Sequence, residues 1–289
     1  MSLDPRVICS TITLRHRPLD DALAAIGGLG FTAIDLGALP GVCDHVPYVL
    51  DDDAVRRVSA TVRTSGLRVR SVNADVGDLN DPVDETEAAA RLAHLDRLLD
   101  LCVAIGATAL VLPNGRQDHE PIDGLDRDLD RVAGRLIEYS ARARSRGVEL
   151  WVEAPHHFRL AFDLDRSAAL YDRLPREIGA VCDVSHITAS GGTPRAFLDR
   201  FAERTRHVHI RDAEPGYIHH SVGRGEVDFA DLVDALAAHG YTGDLALELE
   251  TRDVENDQRP AEALRAGEHL SDLLAGSATR ARTPDRRHA

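Results

Sequence analysis

The stretch that decides the fold is Glu149-Leu150-Trp151-Val152-Glu153-Ala154-Pro155-His156-His157. A short apolar run ends on a carboxylate, breaks at a proline, and is followed at once by two histidines. Three later runs finish in the same way. They are Val181-Cys182-Asp183-Val184-Ser185-His186, His207-Val208-His209-Ile210-Arg211-Asp212 and Leu245-Ala246-Leu247-Glu248. Strand tips that repeatedly deliver Glu, Asp and His point to one metal site built from scattered segments. The fold must then bring these tips together.

Outward from that stretch, strand-like runs alternate with helical patterns along the whole chain. Strands are expected at 7–12, 31–36, 67–73, 107–112, 149–153, 178–183, 207–212 and 245–250. Helices are expected at 51–63, 84–105, 125–146, 165–174, 228–240 and 260–274, with two more starting near Pro18 and at Thr193-Pro194. Val55, Val58 and Val62 share one helical face, and Gly147 follows the end of its helix. Eight strand-helix units in strict alternation predict a single (β/α)8 TIM barrel with a closed parallel sheet of eight strands. An open doubly wound sheet would usually show a glycine-rich phosphate turn after its first strand. Here that place reads Ser10-Thr11-Ile12-Thr13-Leu14, without glycine. The barrel is expected to span 1–276, and the Arg-rich segment 277–289, which lacks apolar periodicity, is expected to be a disordered tail. In such barrels the active site lies where strands run into helices, so Glu153, Asp183, His209 and Glu248 converge.

Composition narrows the function classes. Hydrophobic residues make up 43% of the 289 residues and aromatics only 4%, so a sizeable core of Ala, Leu, Val and Ile is expected. A formal net charge of −14 argues against a nucleic-acid partner, whose phosphates need a basic surface. Cys9, Cys43, Cys102 and Cys182 form no C-x-x-C pair, and no run resembles a signal peptide or a membrane span. A cytoplasmic protein with reduced thiols and no membrane partner is expected. Homo-oligomerisation stays open.

Two Glu, one Asp and one His make an oxygen-rich ligand set with one nitrogen. That set suits one divalent ion, Mn²⁺ first, with Mg²⁺, Co²⁺ or Zn²⁺ also accommodated. No nucleotide cofactor is expected. An ion holding a carbonyl and its neighbouring hydroxyl acidifies the C–H between them, and a nearby carboxylate serves as base. Two carboxylates on opposite faces give epimerisation, and one working on a single face gives isomerisation. A leaving hydroxyl beta to the carbanion turns the same chemistry into dehydration.

Several motifs together resemble the xylose isomerase-like barrels, which include sugar isomerases, ketose 3-epimerases and inosose dehydratases. The matches are Val152-Glu153-Ala154-Pro155-His156, Cys182-Asp183-Val184-Ser185-His186, His207-Val208-His209-Ile210-Arg211-Asp212, Val222-Gly223-Arg224-Gly225-Glu226-Val227-Asp228-Phe229 and Gly240-Tyr241-Thr242-Gly243-Asp244-Leu245-Ala246-Leu247-Glu248. The resemblance implies Glu153, Asp183, His209 and Glu248 as metal ligands. It implies Glu153 and Glu248 as the acid–base pair, and His186 as a substrate contact. His156 and Arg224 are further candidates for substrate binding.

The first reading is therefore an isomerase or epimerase of a small sugar, ketose or polyol ketone. The second is a lyase: a dehydratase of keto-inositol or dehydroshikimate type, or a keto-glycoside eliminase. The third is a non-catalytic barrel that binds a sugar or a partner. The resemblance also reaches apurinic-site endonucleases, but these need histidines where this chain has Asn73 and Asn114, so a nuclease is disfavoured.

Neighbouring residues receive quieter expectations. His207 is read as facing away from the side that His209 occupies, and Trp151 as packed between strand and helix. Asp212 is a candidate to orient the ligand histidine. Arg211 is expected to pair with a surface acid.

Overall fold

The structure, a computed structural model, describes residues 2–282. Eight parallel strands close into a barrel: β1 (Val7–Ser10), β2 (Ala33–Ala38), β3 (Arg68–Ala74), β4 (Ala109–Pro113), β5 (Glu149–Glu153), β6 (Gly179–Asp183), β7 (Thr205–Ile210) and β10 (Leu245–Leu247). The ring closes where β1 pairs with β10. A small antiparallel pair, β8 (Asp212–Glu214) and β9 (Tyr217–His220), lies outside the barrel in what the sequence presents as loop.

Helices cover the outside: α1 (Leu19–Gly28), α2 (Asp52–Ser65), α3 (Glu85–Ile105), α4 (Leu125–Arg144), α5 (Leu164–Tyr171), α6 (Val184–Ala189), α7 (Pro194–Phe201), α8 (Phe229–Ala238) and α9 (Arg259–Arg282). Aspartates start many of them. Asp51, Asp84, Asp163 and Asp228 each accept a first-turn amide, from Ala54, Glu87, Arg166 and Asp231. Such a cap is worth about 1 kcal/mol. None of the described helices is long and apolar enough to cross a membrane.

Strand alternation sorts the core into two compartments. Outward-facing residues such as Leu150, Val152, Cys182 and Val208 join the large core between sheet and helices. Inward-facing residues fill the barrel. Ala109, Val111, Trp151 and Val181 form one apolar tier, and Ile8, Ala33 and Ala246 another. Trp151 therefore lies inside the barrel, not between strand and helix. It stands two residues before Glu153, and a period of two puts both on one face. Its Nε1 donates to Glu149 at 2.8 Å, and the Arg70 guanidinium lies 4.6 Å from the ring centre. Gly179 makes the room, because a Cβ there would meet Trp151 Cδ1 at 2.5 Å.

Two expected boundaries move. The first strand stops at Ser10, whose hydroxyl accepts from the Ile12 amide and starts a 3₁₀ turn, Thr11–Leu14. From that turn Thr13 Oγ1 donates to Leu247 O and accepts the Leu249 amide, which ties the barrel's closing seam. At the other end, α9 continues past the expected boundary at 276 to Arg282. A single Gly276 costs a helix only about 1 kcal/mol, and the alanines and arginines after it are strong helix formers. The rest of the expected tail, 283–289, lies outside the described residues.

Candidate metal centre

Four expected side chains reach the mouth of the barrel together. β5 ends on Glu153, β6 ends on Asp183, β7 carries His209, and Glu248 follows β10. Asp183 and Ala246 both lie beside His209 in the ladder, so the tips are neighbours by register. His209 Nδ1 stands 3.4 Å from Glu248 Oε2 and 3.8 Å from Asp183 Oδ2. One ligand atom each from Glu153, Asp183 and His209 falls within 4.8 Å of the others.

Asp183 and Glu248 are each held at one carboxylate oxygen. Asp183 Oδ1 accepts from the amides of Ser185 and His186 and from the Ser185 hydroxyl, which caps α6. Its Oδ2 has no hydrogen-bond partner among the described residues. Asn73 Nδ2 donates to Glu248 Oε1 at 2.8 Å. Asn114 donates to the Glu153 carbonyl at 2.7 Å and accepts the Ala161 amide at 2.7 Å, which pins the turn after β5. Glu153 Oε1 and His209 Nδ1 are likewise buried without a hydrogen bond among the described residues. Leaving a buried polar atom unsatisfied costs roughly 1–3 kcal/mol, and more when it is charged. Three such atoms converging on one point, all of ligand type, fit a divalent cation.

The electrostatics agree. Burial, then the charges of Asp183 and Glu248, push the Glu153 carboxyl well above its ordinary range. Burial likewise lifts Glu248 to about 7, against the pull of His209 and Arg211. Burial opposes the His209 cation, yet Glu248 and the hydrogen bond to Asp35 raise its pKa to about 10. The site thus holds more negative charge than it can ionise comfortably, which is the condition a cation relieves.

A cavity of about 750 Å³ opens above these residues, lined by Glu153, Glu248, His156, His186, Arg211 and His219 among others. That is in the range of roughly 300–1,000 Å³ found for small-molecule sites. His186 Nδ1 accepts the His157 amide at 3.1 Å, so its hydrogen sits on Nε2, 3.3 Å from Glu153 Oε1. His156 stacks on His186 with ring centres 3.8 Å apart. Burial keeps both rings well below the ordinary imidazole pKa, aided for His186 by Arg211 and for His156 by His186. Arg159 is buried and bridges Gly115 O and Asp75, tying two rim loops together.

Some expectations need correction. His207 does not face away from His209. Both rings point inward and both approach Asp35 Oδ2, at 3.4 and 3.3 Å, because residues two apart on a strand share a face. Arg211 is buried, not paired at the surface. It donates to Ser185 Oγ and Glu250 Oε2 and lies against the cavity. Asp212 does not reach His209. Its carboxylate accepts the amides of Gly223, Gly225 and Val227 and so shapes that loop. Arg224, on the same loop, is half-exposed, pairs with Asp253 at 3.3 Å, and is not among the residues lining the cavity.

Asp35 is the member that the sequence reading misses. It lies in the apolar run Ile34-Asp35-Leu36 and is fully buried. Burial opposes its charge, but hydrogen bonds with His207 and His209 hold it well below the usual carboxylate range. The available signal was an acid within an apolar strand, a placement that demands a partner.

Known proteins agree with this architecture. The chain is 28% identical over 265 residues to a provisionally named hydroxypyruvate isomerase of Streptomyces coelicolor, covering 86% of this chain and 91% of that one. It is 27% identical over 217 residues to an inosose dehydratase of Lacticaseibacillus casei, covering 63% and 66%. Among solved structures, an L-ribulose 3-epimerase superposes over the full length of both chains with a TM-score of 0.78 at 20% identity. An IolI protein with a bound zinc atom superposes with a TM-score of 0.75 at 17% identity, covering 94% of this chain and 99% of that one. A family model described as xylose isomerase-like TIM barrel matches residues 23–273, and the chain belongs to that family.

Proposed function

We propose that this protein is a divalent-metal-dependent isomerase or epimerase of a small sugar, ketose or polyol ketone. The observation that carries the reading is the convergence of Glu153 Oε1, Asp183 Oδ2 and His209 Nδ1, all buried and without a hydrogen bond among the described residues, beside a cavity of small-molecule size that Glu153 and Glu248 line. Glu153, Asp183, His209 and Glu248 would hold the ion, and their oxygen-rich set favours Mn²⁺ over softer metals. A divalent ion supplies Lewis acidity that makes a C–H beside a substrate carbonyl easier to ionise.

The chain's own groups do the rest. One of Glu153 and Glu248 takes the proton from the carbon beside the carbonyl. In epimerisation the other returns a proton from the opposite face. In isomerisation the same proton goes to the neighbouring carbon, while the hydroxyl proton passes to the former carbonyl oxygen. His186, whose Nε2–H lies 3.3 Å from Glu153 Oε1, and Arg211 both line the cavity and would donate to substrate oxygens bound there. The His156 ring backs His186 and limits its swing.

A lyase of the same chemistry is the second reading, favoured by the inosose dehydratase relative. One experiment separates the two. The protein is incubated with Mn²⁺ in deuterated water, together with hydroxypyruvate, pentuloses, hexuloses and keto-inositols. Deuterium entering beside the carbonyl with the carbon skeleton and oxygens retained supports the isomerase or epimerase. Loss of water with a new ultraviolet enone band supports the lyase. Full activity after exhaustive chelation would sink both.

A further inference from the structure

Asp35 lies one step below the proposed ligands, on the inward face of β2. The β2–β3 register shifts between Ile34 and Asp35, which sets Asp35 opposite Ser71. Such a bulge re-aims a side chain. Here Asp35 Oδ2 accepts the Ser71 hydroxyl at 2.9 Å and meets His209 Nε2 at 3.3 Å. The other ring nitrogen of His209, Nδ1, faces Asp183 and Glu248.

A neutral imidazole carries one hydrogen and one lone pair on its two nitrogens. With the hydrogen on Nε2, the ring donates to Asp35 and offers the Nδ1 lone pair upward. With the hydrogen on Nδ1, a lone pair would face the Asp35 carboxylate, acceptor against acceptor, in a fully buried place. We propose that Asp35 is a positioning residue of the metal centre: it keeps the His209 hydrogen on Nε2 and fixes the ring, so that Nδ1 is the ligand atom. This rests on the metal-centre reading and adds a residue to it. Ser71 anchors Asp35 from the adjacent strand, so the orientation is set from β2 and β3, across the barrel from β7.

Two measurements test the proposal without using turnover. In zinc-loaded protein labelled with ¹⁵N-histidine, long-range ¹⁵N–¹H couplings should place the His209 hydrogen on Nε2 and zinc on Nδ1. The reverse pattern overturns the proposal, and no substitution is needed to see it. In Asp35→Asn, Co²⁺ affinity measured against a competing chelator should fall about 10–100-fold, and the Co²⁺ visible band should shift. Circular dichroism of the metal-free variant should match wild type. A folded Asp35→Asn that binds Co²⁺ like wild type, with the same spectrum, overturns the proposal while leaving the metal centre standing. A wild-type protein that binds neither Co²⁺ nor zinc overturns both.

Discussion

The two halves of the barrel mouth do different work. The half built from β5, β6, β7 and β10 ends in Glu153, Asp183, His209 and Glu248 and leaves ligand atoms free. In the half built from β2, β3 and β4, Asp35 inside β2, Asn73 near the end of β3 and Asn114 just past β4 each make a hydrogen bond to the first half. Asp35 reaches His209, Asn73 reaches Glu248, and Asn114 reaches the Glu153 carbonyl. Unpaired buried acceptors would repel each other and swing apart unless something held them. The second half holds them, which keeps the free atoms aimed at one point before any ligand arrives.

The contrast is broken most severely from the free side. Glu248→Gln keeps the shape and the Asn73 contact but removes the carboxylate. Turnover of any ketose that wild type exchanges should fall by about 10²–10⁴-fold, with the melting curve of metal-free protein little changed. Retained activity would show that Glu248 is neither base nor needed ligand.

Beneath both halves lies the apolar tier, which should answer in stability rather than chemistry. Trp151 fills the barrel against Val111, Val181 and the His207 ring, 5.3 Å away centre to centre. Trp151→Ala should cost about 3–5 kcal/mol of unfolding free energy, measured by denaturant titration. The protein that stays folded should still bind Co²⁺. A loss of Co²⁺ binding with unchanged stability would mean that the two tiers are one unit.

The holding side gives a smaller effect. Asn73→Ala frees Glu248 Oε1 from its only side-chain donor among the described residues. A drop of about 10–100-fold in kcat/KM is expected, between the loss of a ligand and the loss of a surface contact. A drop as deep as that of Glu248→Gln would move Asn73 into the reacting group itself.

The same division explains what could be read from the sequence. The free half carries its chemistry at strand tips followed by turns, as in Glu153-Ala154-Pro155 and Asp183-Val184-Ser185-His186, and such tips stand out against apolar strands. The eight-fold alternation then supplied the convergence. The holding half was harder, because a carboxamide such as Asn73 at a strand end is also ordinary turn chemistry. Asp35 sits inside a strand, and its histidine partners are 172 and 174 residues away along the chain, so only the closed sheet reveals the contact. Facing was legible in principle. The period of two, carried back from Glu153 and His209, puts Trp151 and His207 on the inward face. The β8–β9 hairpin stayed hidden because its pairing spans a loop of mixed polarity at Glu214-Pro215-Gly216.

The smallest effect is expected from Arg224. Its flanking glycines and its place near the mouth made it a candidate for the substrate. Those glycines have another use: a Cβ on Gly225 would meet Ala213 O and Asp212 Oδ1 at 2.5 Å, so the loop needs glycine to wrap the Asp212 carboxylate. Arg224 itself points away to Asp253, with half its side chain in solvent. Ion pairs of that exposure contribute about 0–1 kcal/mol. Arg224→Ala should therefore leave KM for the substrate that wild type turns over within about threefold, and thermal stability within the same small margin. A tenfold rise in KM with kcat unchanged would place Arg224 on the bound substrate. The loop held by Asp212 would then have to move when the cavity fills, and the free half of the mouth would extend one loop further than the strand tips show.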